Sequence, residues 1–92
     1  LSARIAITNA FIDAAKKLPP DRQKAARNAL VKFATEPSLN GLNFRGLSAK
    51  PGHFIINSAH GDRIILRKDA DDLYAAIDIG PHDNVYRRWN RK

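Results

Sequence analysis

The chain has 92 residues, no cysteine, and 16 Lys and Arg against nine Asp and Glu, for a formal net charge of +7. That length suits one domain over residues 1–92. The missing cysteine excludes a disulfide framework or a thiolate-held metal, so nothing favours an oxidising compartment and the cytoplasm is the expected location. No run approaches the roughly 20 apolar residues of a membrane-spanning helix, and the excess of cations favours a polyanionic partner such as RNA, DNA or an acidic protein segment without choosing among them.

In chain order, the opening "LSARIAITNAF" lacks the long apolar block of a signal peptide, and a chain that begins on Leu and contains no Met leaves open whether residues precede it. Residues 4–8, "RIAIT", alternate weakly and carry β-branched side chains, which predicts a short edge strand. Thr8 or Asn9 then supplies the cap for a helix over "AFIDAAKKL", where Ala10, Phe11, Ala14, Ala15 and Leu18 recur at helical spacing. Pro19 and Pro20 end that helix. Asp21 is expected to cap a second one, "RQKAARNALVKFAT", with Ala26, Ala29, Leu30 and Phe33 on the buried side and Arg22, Lys24, Arg27 and Lys32 on a basic exterior; Pro37 stops it. Residues 36–52, "EPSLNGLNFRGLSAKPG", are dense in Pro, Gly, Ser and Asn and predict a loop carrying Arg45 and Lys50.

Three strand-like runs follow, "HFIINSA" (53–59), "RIILRK" (63–68) and "LYAAIDI" (73–79), joined by the short connections "HGD" and "DADD" as an antiparallel meander. Gly80 and Pro81 are expected to break the last strand. His82 or Asp83 then caps a terminal helix, "NVYRRWNR", on which Val85 and Trp89 share an apolar side at i and i+4. The predicted order is βααβββα, an α+β layer with its helices on one face of a small, mainly antiparallel sheet. Period-two alternation sends Phe54, Ile56, Ile64, Leu66 and the set Leu73, Ala75, Ile77 and Ile79 to the core. It leaves Asn57, Arg63, Arg67, Tyr74 and Asp78 on the open face, where Asp78 can pair with Arg63.

These segments resemble the RelE/ParE superfamily of bacterial type II toxins over nearly the whole chain. "ITNAFIDAAKKLPPDRQKAARNALVKFATEP" resembles the superfamily's paired helices, "LNFRGLSAKPGHFIINSAHGDRIILRK" its central hairpin, and "IGPHDNVYRRW" its ending, a strand closing at Gly before a "VYR" helix. The resemblance implies a toxin held inactive by a cognate acidic antitoxin, acting as a ribosome-dependent, metal-independent endoribonuclease on mRNA, with no cofactor. It implies catalytic roles for three residues. Tyr86 matches the family Tyr, Arg63 matches an Arg expected to contact the scissile phosphate, and His82 falls in a turn where related toxins carry a functional His or Arg.

Read from the residues alone, His82 can equally be a helix cap, Tyr86 a core side chain beside Trp89, and Arg63 a structural partner of Asp78. Arg45, Lys50, Arg67, Lys68, Arg87 and Arg88 are candidate nucleic-acid contacts, and Arg91 and Lys92 extend that basic surface. His53 and His60 stand alone at strand ends, without the spacing of metal ligands. One departure matters: the strand of residues 54–59 carries no cation where RelE presents catalytic lysines. The competing expectation is a noncatalytic binding module, either a ParE-like inhibitor of DNA gyrase or a helicase-associated nucleic-acid-binding domain.

Overall fold

The computed structural model describes residues 3–90 and runs β1 (Arg4–Ile7), α1 (Asn9–Ala15), α2 (Pro20–Thr35), β2 (Arg45–Gly46), β3 (His53–Asn57), β4 (Asp62–Ala70), β5 (Leu73–Pro81) and α3 (His82–Trp89). One sheet holds the strands in the order β1-β5-β4-β3-β2, antiparallel except for β1, which lies parallel to β5 at the edge. The α+β class and the order of its main elements follow the sequence reading, with β2 a two-residue addition inside the predicted loop. Among the described residues no helix is long and apolar enough to cross a membrane.

Thr8 starts α1 because its Oγ1 accepts from the Phe11 N–H at 3.2 Å. The same hydroxyl donates to the Ala76 carbonyl at 2.8 Å, so the cap also ties the end of β1 to β5. The second helix begins differently from the sequence expectation. Pro19 is the N-cap residue and Pro20 the first helical one, while Asp21 lies inside the first turn and makes no side-chain cap. Proline fits that position because its absent N–H would have had no helical partner, and the Asp21 carboxylate complements the positive end of the helix.

The predicted single helical layer is corrected to two. On one face, α1, α2 and the connection between them bury Phe11, Leu18, Leu30 and Phe33 against Ile56, Ile64 and Leu66. On the other, α3 brings Val85, with Tyr86 and Trp89 partly buried, onto Ile55, Ile65, Ala75 and Ile77. The reason is in the strands: Ile55–Ile56, Ile64–Ile65 and Ala75–Ala76 place apolar side chains at both parities, and a sheet apolar on both faces needs cover on both.

The face assignment of β5 is also corrected. Ile64 opposes Ile79 and Ile65 opposes Asp78, but Leu66 opposes Ala76, so Ile77 is an extra residue in a β-bulge. Past the bulge the alternation shifts by one. Tyr74, Ala76 and Ile79 face α1 and α2, while Ala75 and Ile77 face α3. Tyr74 is therefore not on the open face; it is buried, packed edge-on to Phe33 at 5.1 Å between ring centroids.

Two exposed ion pairs give the fold an acid-sensitive component. A hydrogen bond from Arg4 holds the Asp72 carboxyl below its ordinary range, and one from Arg67 does the same for Asp69. Because the folded value lies below the unfolded one, this stabilisation is fully present above the unfolded value of about 3.9 and is lost as pH falls through the folded one. NMR titration of both carboxyls should give midpoints below about 3.9. Ordinary midpoints would mean that these pairs do not persist in solution.

Candidate functional site

The candidate residues gather on the sheet face that α3 covers. Arg45 enters from β2, whose Cα partner on β3 is Ile55, and its half-buried guanidinium spans two elements. One Nη donates to the Tyr86 hydroxyl oxygen at 2.9 Å, and the other donates to Asn57 Oδ1 at 3.2 Å and to the Asn43 carbonyl. Asn57 is the register partner of Arg63, and Arg63 is in turn the partner of Gly80. Arg45, Asn57 and Arg63 thus stand on three adjacent strands with Tyr86 joined to the first of them. The helix α3 packs over this end of β5, where a Cβ at Gly80 would make ordinary contacts of 3.4 Å to Arg88 Nη2 and 3.6 Å to Val85 Cγ2.

Arg63 is fixed from below. Its Nη1 donates to the Asp62 carbonyl at 3.0 Å, and its Nε is buried without a partner. The Asp62 side chain is wholly buried and takes two hydrogen bonds from Arg22 on α2, one of them at 2.9 Å, which anchors the start of β4 to the other layer. A forked guanidinium–carboxylate pair of this kind fixes direction as well as distance.

The strand β5 continues through Pro81, which is the N-cap of α3, so neither His82 nor Asp83 caps the helix as expected. His82 is instead the first helical residue. Its ring lies 4.3 Å from that of Tyr86, tilted by 49°, and its Nδ1 is 3.0 Å from Asp83 Oδ1. With Nδ1–H donating to that carboxylate, Nε2 keeps its lone pair as a proton acceptor. Tyr86 has a complementary arrangement: Arg45 donates to its oxygen, which leaves the phenolic proton to be given elsewhere.

The expected Asp78–Arg63 pair does not form. Asp78 is 8% exposed and accepts from Arg88 Nε at 2.8 Å, Trp89 Nε1 at 2.6 Å and the Ile79 N–H at 2.8 Å. Asp78, in regular register with Ile65, faces α3 as the alternation expects, and it is the clamp that holds the helix on the sheet. Arg88, a candidate nucleic-acid contact, therefore has its Nε committed to this clamp, whereas Arg87 is exposed on the same helix.

The remaining cations are dispersed. Arg67 lies four residues along β4 from Arg63 and is paired with Asp69 at 2.8 Å. Lys68 is exposed beside Tyr74 in register, and Lys50 is half-buried in the connection between β2 and β3. Arg91 and Lys92 lie outside the described residues. His53 stacks on Trp89 at 5.8 Å, and His60 sits 3.9 Å from Asp21 in the turn before β4, where its φ of 65° and the 79° of Gly61 reverse the chain. No cluster of three metal-ligating side chains occurs among the described residues. The strand β3 presents no cation to the site, and Arg45 reaches it from the neighbouring strand. From the sequence, Arg45 is chiefly a candidate phosphate contact and one of four cations, with Lys50, Arg67 and Lys68, that could stand in spatially for the absent lysines; no spacing rule singles it out, and its bond to Tyr86 does.

No family model and no curated protein matches the chain. Solved structures do match. The E. coli toxin RelE, solved free as a double arginine-to-alanine mutant, superposes with a TM-score of 0.69 at 16% identity over 95% of this chain and 93% of its own. RelE from the RelB-RelE antitoxin-toxin complex of Methanococcus jannaschii gives 0.69 at 14% identity, covering 90% and 96%. YoeB from a dimer of Staphylococcus aureus gives 0.66 at 15% identity, covering 89% and 99%. Over almost its whole described length, this chain has the fold of the RelE toxins.

Proposed function

We propose that the chain is the toxin of a type II toxin-antitoxin system and cleaves mRNA on the ribosome. The observation that carries this reading is the Arg45–Tyr86 hydrogen bond at 2.9 Å, beside Asn57, Arg63 and the His82 ring, on the face that α3 borders. RNA cleavage by internal transfer needs a base for the 2′-hydroxyl, an acid for the departing 5′-oxygen and cations for the crowded phosphate. His82 Nε2 takes the 2′ proton as the 2′-oxygen bonds to phosphorus. Tyr86 gives its proton to the 5′-oxygen as the P–O5′ bond breaks, and Arg45 and Arg63 neutralise the phosphate oxygens. The products are a 2′,3′-cyclic phosphate and a 5′-hydroxyl. Because the ribosome holds the RNA in place, so few side chains suffice.

The partner that silences such a toxin is an acidic segment, to match a chain of net charge +7. Among the structural relatives, RelE of Methanococcus jannaschii was solved in an antitoxin-toxin complex with RelB, and YafQ of E. coli in a complex with DinJ. The test is induced expression in bacteria. Growth should stop, and Arg63→Ala, His82→Ala and Tyr86→Phe should each restore it while leaving the fold and antitoxin binding intact. Arrest that persists in all three variants would refute the assignment.

A further inference from the structure

Six arginines make side-chain hydrogen bonds among the described residues, and they divide by the charge of their acceptors. Arg4, Arg22, Arg67 and Arg88 each hold a carboxylate, that of Asp72, Asp62, Asp69 and Asp78 in turn. Arg45 and Arg63 hold only neutral oxygens. For Arg45 these are the Asn43 carbonyl, Asn57 Oδ1 and the Tyr86 hydroxyl; for Arg63, the Asp62 carbonyl. Asp62 shows the division within one residue, since its carboxylate goes to Arg22 and only its carbonyl to Arg63.

Burial runs against this division. Arg4, Arg67 and Arg88 lie at the surface, where water solvates a cation, yet each has a counter-ion, whereas Arg45 and Arg63 are half-buried and have none among the described residues. A charge drawn partly out of water without a counter-ion costs stability unless an anion completes it. In the cleavage reading that anion is the scissile phosphate.

Arg45 is held so that it can serve one. Its Nη1 donates to both Asn43 and Asn57, and one N–H of Nη2 donates to Tyr86, which leaves Nε–H and the second Nη2–H for phosphate oxygens. An arginine only donates, so the Asn57 atom that faces it is the amide oxygen. That oxygen fixes the guanidinium without cancelling its charge. A carboxylate in the same place would hold Arg45 more strongly and would also repel the phosphate. Asn57 is in register with Arg63, so its neutrality bears on both cations.

We infer that Asn57 is a positioning residue, which aims Arg45 at the scissile phosphate through a neutral acceptor and keeps the positive charge of the site uncompensated. This inference rests on the cleavage reading above.

The test compares Asn57→Asp with Asn57→Ala in full-length protein, on ribosomes programmed with a defined mRNA. Aspartate matches asparagine in shape and accepts from Arg45 more strongly, so a merely structural role would leave Asn57→Asp as active as the parent. The positioning role requires the reverse: Asn57→Asp should lower kcat/KM by roughly 10²-fold, as loss of a charge-stabilising donor does, with the melting temperature unchanged or raised. Asn57→Ala should lower kcat about tenfold with little change in KM, within the range for a misplaced group. In an Arg45→Ala background it should have no further effect, because the residue acts through Arg45. Undiminished cleavage by Asn57→Asp, or an Asn57→Ala loss that is as large without Arg45 as with it, would overturn the role of Asn57 and leave the cleavage reading standing. A folded, unaltered protein that cuts no message would overturn both.

Discussion

Tyr86→Phe should lower the rate of mRNA cleavage on ribosomes by about 10²- to 10⁴-fold, the range general acid–base groups contribute. The substitution removes one oxygen and leaves the ring, so packing against His82 and the second core is kept. It deletes the proton donor and frees the Arg45 Nη that was bonded to it. Because phenylalanine has the same shape, circular dichroism and melting temperature should stay close to those of the parent, and antitoxin binding should be unchanged. The loss should fall on kcat, with KM little altered, since the phosphate still meets Arg45 and Arg63. A fall under about tenfold, equivalent to about 1.4 kcal/mol in barrier height, would demote Tyr86 to a packing residue beside Trp89.

The second large effect is on stability. Asp78→Ala removes the acceptor for three donors at once, two from α3 and one from the Ile79 backbone, and leaves Trp89 Nε1–H and the Ile79 N–H without a partner. Hydrogen bonds to a charged group contribute about 1.5–3 kcal/mol each and are not additive, so a total near 2–4 kcal/mol is expected, moderated because Arg88 is half exposed and can hydrate. At this size 1 kcal/mol moves the melting temperature by about 4–8 °C, so the midpoint should drop by roughly 10–25 °C. Hydrogen exchange should locate the damage: α3 loses protection while Phe33, Ile64 and the other residues of the first core keep theirs. Asp78→Asn, which retains an acceptor, should fall between parent and Ala. A shift under about 4 °C, less than about 1 kcal/mol at this size, would show that α3 is held by Val85 and the apolar contacts alone.

These two residues also mark what could be read from the chain. The order of the main elements was legible because the breakers are strong: Thr8 begins α1, the Pro19–Pro20 pair separates the helices, and two short polar turns split the meander. Tyr86, Arg63 and His82 were legible only through resemblance, and the structure adds that Arg45, on a strand of two residues inside a Pro- and Gly-rich stretch, is bonded to Tyr86. Strict alternation failed on β5 because a single extra residue at Ile77 inverts the parity past it, and no local propensity announces a bulge. That one residue moved Tyr74 into the core; Asp78, on the regular side of the bulge, keeps the face that alternation gives it, and there Arg88 and Trp89 of α3 rather than Arg63 take its carboxylate. The second core was missed for a related reason: adjacent isoleucines in β3 and β4 signal a sheet covered on both sides, a pattern that single-face alternation cannot express.

The site ties these parts together. Its cations come from strands of the sheet and its proton-transfer groups from α3, so activity depends on the helix staying seated. Whatever loosens the Asp78 clamp should lower activity before it unfolds the first core, because Asp78, Arg45 and the packing of Val85 join the two sets and none of them belongs to that core. This separates the site's geometry from the stability of the domain core in α1 and α2.

The most direct measurement is cleavage of a defined mRNA on purified ribosomes, with the new ends sequenced and their chemistry identified. Cuts on ribosome-bound message that leave a 2′,3′-cyclic phosphate and a 5′-hydroxyl are expected, with Tyr86→Phe protein nearly inactive. Intact message with the folded, unaltered protein, or undiminished cutting by Tyr86→Phe, would contradict that expectation.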